Sequence, residues 1–168
     1  KELRMDKNEL ATLPPEIGNL QKLVHLSVSD NRLRDLPFDL VRMSSLEYLV
    51  ANGNPFGKVP GVVRKLTDLR LLELDRCGLR ELPDWIGELK KVGFLALKGN
   101  RLRKLPESFG KMQSLGHAEL NDNQLQTLPE SVGNLAELSE VWLWGNPLQT
   151  LPSTLTKLLK MPDDDYGE

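Results

Sequence analysis

Apolar residues recur along this chain in two alternating rhythms. Leu26 and Val28 lie two apart, the spacing that sends both to one face of an extended strand, while Ile17, Leu20 and Leu23 lie three apart, as on a short helical turn. The strand leucine returns as Leu3, Leu26, Leu49, Leu72, Leu95, Ala118 and Val141, each 23 residues after the last. Two unrelated residue types keep the same period: Asn8, Asn31, Asn54, Cys77, Asn100, Asn123 and Asn146, and Pro14, Pro37, Pro60, Pro83, Pro106, Pro129 and Pro152. The pattern predicts seven short parallel strands, at Leu3–Met5, Leu26–Val28, Leu49–Ala51, Leu72–Leu74, Leu95–Leu97, Ala118–Leu120 and Val141–Leu143, each followed by a short helical or 3-10 segment.

A unit this small cannot bury its apolar side alone. Stacking neighbours in parallel closes a continuous core between a strand layer and a helical layer, so the fold class is an α/β solenoid with a curved parallel sheet. The recurring asparagine suits the turn after each strand, where an amide offers donor and acceptor to inward-facing backbone groups, and stacked asparagines would form a ladder. Cys77 fills the same slot as a buried substitute. The proline fits the first helical position, where a missing N–H costs little. Residues 1–161 read as one repeat domain closed by a half repeat from Leu151 to Met161, and residues 162–168, with Asp163, Asp164 and Asp165, as an acidic tail. Lys1 starts one position after the leucine that should open a repeat. The chain therefore reads as a fragment whose Leu3, Met5 and Leu10 layer is poorly covered.

These motifs resemble the leucine-rich-repeat family. Its L-x-x-L-x-L-x-x-N/C-x-L signature is matched from Leu23 to Leu33, Leu46 to Phe56, Leu69 to Leu79, Val92 to Leu102, Leu115 to Leu125 and Leu138 to Leu148. The half from Leu13 to Gly18, seen again at Leu82 to Gly87, Leu105 to Gly110 and Leu128 to Gly133, is similar to the subclass of intracellular Ras-binding and polarity scaffolds, a form that also occurs in plant and bacterial proteins. Ala51 and Ala118 depart from the large apolar residues of the pattern. What the resemblance implies is a protein-binding module of a signalling scaffold or adaptor. The alternative is the substrate-recruiting part of a larger enzyme or bacterial effector whose catalytic part lies elsewhere.

Composition narrows this further. A net charge of −2 gives no bulk attraction to nucleic acid, and no apolar stretch is long enough to span a bilayer. The N-terminus is not a signal peptide, the one cysteine cannot form an intramolecular disulfide, and no Asn-x-Ser/Thr sequon occurs, which together favour a reducing, cytoplasmic compartment. His25 and His117 are four strands apart and no carboxylate pair accompanies a nucleophile, so neither an enzyme nor a cofactor is expected. Gly53 to Val59 has the look of a phosphate loop, but is one residue short and lacks the following Ser or Thr.

Function must then sit on strand residues that point away from the core. Three outward columns follow: His25, Tyr48, Leu71, Phe94 and His117 between Glu2 and Glu140; Arg4, Ser27, Val50, Glu73, Ala96, Glu119 and Trp142; and Asp6, Ser29, Asn52, Asp75, Lys98, Asn121 and Trp144. Tyr48, Val50, Leu71, Phe94 and Ala96 should cluster as an exposed apolar patch rimmed by Ser27, Glu73, Asp75, Lys98 and Glu119, which is how a protein-binding hot spot is composed. Trp142 and Trp144 extend the face toward one end, or else meet a further C-terminal segment. Trp85 falls on the helical side as a lid. Arg76, Arg80, Lys98, Arg101, Arg103 and Lys104 form a basic group near the strand ends, a solvated rim balanced by Asp75 and Glu81 or a meeting point for acidic side chains or phosphates. The expected partner is a protein, such as a small GTPase or other signalling protein, bound by a monomer.

Overall fold

The computed structural model describes residues 1–158. Seven strands, β1 (Glu2–Arg4), β2 (His25–Ser27), β3 (Tyr48–Val50), β4 (Leu71–Glu73), β5 (Phe94–Ala96), β6 (His117–Glu119) and β7 (Glu140–Trp142), pair in chain order into one parallel sheet that curves without closing. The register carries each residue onto its equivalent one repeat later, so the first strand leucines stack from Leu3 to Val141 in one file. Each strand begins one residue earlier than the apolar alternation predicts. The N–H of His25 already shares the Lys1 carbonyl with Val24, and at the far end the Val28 N–H still reaches Val50 O at 2.8 Å while the chain bends into its turn.

The opposite layer holds 3-10 segments η1 (Pro15–Asn19), η2 (Phe38–Arg42), η3 (Gly61–Lys65), η4 (Asp84–Glu88), η5 (Glu107–Lys111) and η6 (Glu130–Asn134), with the helix α1 (Ser153–Leu158) in the last repeat. Apolar spacing of three suits a helix of three residues per turn, because Ile17 and its equivalents then eclipse on the inner side. The recurring proline sits one residue ahead of the first helical position. Pro14 is extended (φ −67°, ψ 144°), and its carbonyl closes the turn by accepting the Ile17 N–H at 3.1 Å. Leu155 of α1 is 2% exposed and joins the core. The stretch from Leu159 to Met161 and the acidic tail at 162–168 lie outside the described residues.

Between the layers the core is almost purely aliphatic, with Leu26, Leu49, Leu72 and Leu95 fully buried. Leu3, Met5 and Leu10 are only partly buried. The inner asparagines form the expected ladder. Asn31 donates through Nδ2 to Met5 O (2.9 Å) and Val28 O (3.0 Å) and accepts the Leu10 N–H on Oδ1 (3.0 Å), joining two repeats and its own strand end. Asn100 does more, since its Oδ1 accepts both Cys77 N–H and Leu79 N–H at 3.0 Å. Cys77 keeps only the donor half of the role: its thiol lies 3.4 Å from Ala51 O and 3.3 Å from Asp75 O. Lacking an amide oxygen there, the Phe56 N–H turns back to Asn54 O at 2.8 Å. Burial pushes the Cys77 thiol up to about 11, so it stays protonated and inert at neutral pH.

Glycines set how closely the helical layer packs. A Cβ on Gly87 would lie 2.2 Å from Ser108 O, and one on Gly110 would lie 2.0 Å from Ser131 O, so only glycine lets η4, η5 and η6 approach this closely. Val41 and Arg64 occupy the equivalent places in η2 and η3, where neighbouring segments touch less. Arg64 bridges that looser joint to Glu88 with a two-pronged ion pair at 2.7 and 2.8 Å. Trp85 is partly buried against the core, as the lid reading expects.

Candidate protein-binding face

The parallel register lays the first outward column out as a continuous row on the concave sheet. His25 and Tyr48 rings stack at 5.9 Å, Leu71 follows, Phe94 stacks on His117 at 4.6 Å, and His117 meets the edge of Trp142 at 5.1 Å. Tyr48, Leu71, Phe94 and His117 are each half-buried by their neighbours. Neighbouring strands are ~4.8 Å apart, close enough for rings in one column to touch face to face.

The second column is less open than simple alternation suggests. Ser27 is 5% and Ala96 2% exposed, whereas Val50, Glu73 and Glu119 remain partly open. Small side chains between taller neighbours are shaded on a packed sheet. Ala96 is therefore floor rather than contact surface, and Tyr48, Val50, Leu71 and Phe94 carry the accessible apolar part. Trp142 and Trp144 stay 38% and 56% exposed. The Trp142 indole N–H donates to Glu140 Oε1 at 2.7 Å, and Lys98 Nζ lies 5.2 Å from the centre of the Trp144 ring, a cation–π contact.

A polar ladder that the sequence reading did not anticipate runs through the third column. Asp6 Oδ1 accepts the Ser29 N–H (2.7 Å), Ser29 Oγ the Asn52 N–H (3.1 Å), Asn52 Oδ1 the Asp75 N–H (2.7 Å) and Asp75 Oδ1 the Lys98 N–H (2.7 Å). Lys98 has no acceptor and stops the series. Beyond it Asn121, fully buried, turns its Nδ2 to Asp122 and leaves Oδ1 without a partner. The signal was present as a column of short oxygen-bearing side chains, but it is shared among Asp, Ser and Asn and no one residue type runs through it.

Carboxylates crowd the middle of this face. Glu73 holds Asn52 Nδ2 at 2.7 Å, and His117 has Glu140 Oε2 2.9 Å from Nδ1 and Glu119 Oε1 3.5 Å from Nε2. Burial, with Glu119 and Glu73 nearby, pushes the Asp75 carboxyl up from 3.8 to about 6, against the opposing pull of the Lys98 N–H and Arg76. A half-buried acid held beside two others is costly, and such placements concentrate where a surface has work to do. The face as built offers flat rings and aliphatic side chains to apolar groups and carboxylates to cationic ones.

The basic group of the sequence reading divides. Lys98 belongs to the concave face over Trp144, and Arg76 lies 3.7 Å from Asp30. Arg80, Arg101, Arg103 and Lys104 remain together on the edge where the chain leaves the strands. In the stretch from Gly53 to Val59 the Gly57 N–H is spent on Cys77 O at 2.9 Å and the Gly53 N–H on Asp75 O at 2.7 Å, so these two amides are not available to a phosphate.

The model of the leucine-rich repeat region family matches residues 57–161. Among solved structures, a leucine-rich-repeat protein of Leptospira interrogans superposes with a TM-score of 0.85 at 28% identity, over 90% of this chain and 38% of that one. The leucine-rich repeat domain of the type III effector XopL superposes with a TM-score of 0.82 at 24% identity, over 94% of this chain and 64% of that one; this second likeness is one of fold. The chain thus spans less than two thirds of the length of either structure. No curated protein matches its sequence.

Proposed function

The chain belongs to the leucine-rich-repeat family, whose domains serve as protein-binding modules, and from that premise we propose that it holds a protein partner on the concave sheet as part of a cytoplasmic signalling scaffold or adaptor. The observation that carries this reading is the half-buried row Tyr48, Leu71, Phe94 and His117, flanked by Val50 and by the crowded carboxylates Glu73, Asp75 and Glu119. Large side chains at the centre of such a patch carry most of the energy of a protein interface, while a polar rim excludes water. A partner suited to it brings apolar side chains to the row and an Arg or Lys to the carboxylates; a small GTPase or another signalling protein is the class we favour. A photo-reactive residue in place of Leu71 is expected to cross-link that partner, and one in place of Trp85 is not. Cross-linking only from Trp85 sinks the reading.

A second reading has the same surface recruiting substrates for a longer effector. The type III effector among the structural neighbours supports it. Both readings assign the chemistry of binding to the same residues.

A further inference from the structure

The arginines of this molecule fall into two groups. Arg4, Arg32, Arg42, Arg64, Arg70 and Arg76 each sit against a carboxylate. Arg34, Arg80, Arg101 and Arg103 have no such partner among the described residues, and all four follow the inner-ladder turn, on one edge of the solenoid. Arg34, Arg80 and Arg103 share a column in which Gly57 takes the intervening place. Arg80, Arg101, Arg103 and Lys104 wall a cleft of about 800 Å³, and Arg80 and Arg101 also border a second cleft of about 460 Å³ beside Gly57. Glu81 is the only acid lining the larger one, and no ion pair among the described residues joins it to these cations.

A molecule with a net charge of −2 keeps Arg80, Arg101 and Arg103 close together without an ion pair among the described residues, while Lys104 also borders a neighbouring cleft with Glu81, Asp84 and Glu107. Exposed and uncommitted guanidiniums gathered on one edge form a positive patch that attracts an anionic ligand. The form of that ligand follows from what else lines the cleft. Two backbone amides of its wall are already committed, Arg101 N–H to Leu79 O (2.8 Å) and Gln124 N–H to Leu102 O (2.9 Å), as is the Gly57 N–H beside the smaller cleft, to Cys77 O (2.9 Å). No aromatic ring lines it for bases to stack on, as single-stranded nucleic acid requires. Gln124 and Gln126 instead present side-chain amides, which can donate to and accept from a peptide backbone. Arg80 stands on one repeat and Arg101, Arg103 and Lys104 on the next, ~4.8 Å along the stack, with Arg34 two repeats earlier in the same column, so the cations follow the edge of the solenoid, which suits charges distributed along an extended chain.

We propose that this edge is a second binding surface, separate from the concave face, that takes an extended Asp/Glu-rich segment of a protein partner. Each guanidinium is free to grip a carboxylate with two parallel hydrogen bonds, the geometry for which arginine is better suited than lysine. The site does not depend on the concave assignment, because none of its residues lies on a strand.

The test is fluorescence anisotropy of a labelled octaglutamate peptide against the whole chain. Wild type is expected to bind it, with affinity falling at least about fivefold between about 50 and about 300 mM salt, where the screening length shortens. Arg80→Ala with Arg103→Ala is expected to weaken binding about tenfold or more, equivalent to about 1.4 kcal/mol. Lys22→Ala with Lys65→Ala removes the same charge from exposed places elsewhere and is expected to stay within about twofold. Equal loss in both pairs would mean bulk charge rather than a site, and no binding by wild type would overturn the proposal outright. Inorganic phosphate, a thymidine oligonucleotide and phosphatidylserine vesicles serve as competitors. Should any of them displace the peptide while binding more tightly through Arg80 and Arg103, the ligand class proposed is wrong.

Discussion

Two ladders of side chains run along the sheet, one inside the core at the asparagine turns and one on the concave face from Asp6 to Lys98. Both recapture backbone groups at strand ends, yet they are filled by different rules. Inside, water cannot replace a missing partner, so asparagine recurs and even the exception, Cys77, still directs its thiol at carbonyls. On the concave face most places of the column stay open to water, Ser29 and Asn121 excepted, and Asp, Ser, Asn, Lys and Trp all occur in it. A position the fold does not dictate is free to be shaped by a partner. Asp75 shows this most clearly, because an amide would satisfy the Lys98 N–H as well without bringing a third carboxylate near Glu73 and Glu119.

The largest effect is expected where the inner ladder carries most. Asn100→Leu strands the Cys77 and Leu79 N–H groups and the Leu74 carbonyl, while Leu97 O keeps Asn123 Nδ2, and should cost about 3 kcal/mol, read as a lowered urea midpoint. A midpoint equal to wild type would remove the distinction between the ladders.

On the outer ladder the sign reverses. Asp75 titrates near 6 in the folded chain and near its ordinary 3.8 once unfolded, so between those values the folded state holds the extra proton. Stability therefore falls as pH rises from about 4 to about 6 and stays at the lower value above. Asp75→Asn keeps an oxygen for the Lys98 N–H and loses the charge. It should raise stability at pH about 7 by about 1 kcal/mol, after allowing for solvent screening, and flatten the pH profile of the melting temperature. A variant that melts lower at neutral pH and keeps the slope contradicts this account of the face.

The smallest effect is at Cys77. Cys77→Asn restores an acceptor for the Phe56 N–H and should leave the midpoint unchanged or raise it by about 0.5 kcal/mol; a clear drop would mean that the slot is too tight for an amide.

How much of this was legible follows the same division. The strand file from Leu3 to Val141, the inner ladder and the convex place of Trp85 could be read from the repeat, because burial forces one residue class at one spacing. The first outward column was equally legible, since register alone brings Phe94 onto His117. Exposure was not: Ala96 and Ser27 face the concave side and are nonetheless covered, which depends on the heights of their neighbours. The outer ladder was hidden because its common feature is a hydrogen-bonding capacity spread over several residue types. The basic edge was legible as a cluster, but only the three-dimensional packing separates Lys98 and Arg76 from Arg80, Arg101, Arg103 and Lys104.

We propose that the concave row binds a protein while the fold stands without it. The most direct measurement pairs thermal melting with partner affinity for Tyr48→Ala combined with Phe94→Ala. The double variant is expected to keep its circular-dichroism spectrum and most of its melting temperature while losing about thirtyfold or more in affinity, about 2 kcal/mol. Binding within about twofold of wild type, together with loss on Trp85→Ala or on charge reversal of Arg101, Arg103 and Lys104, would place recognition on the convex side or the basic edge and contradict it.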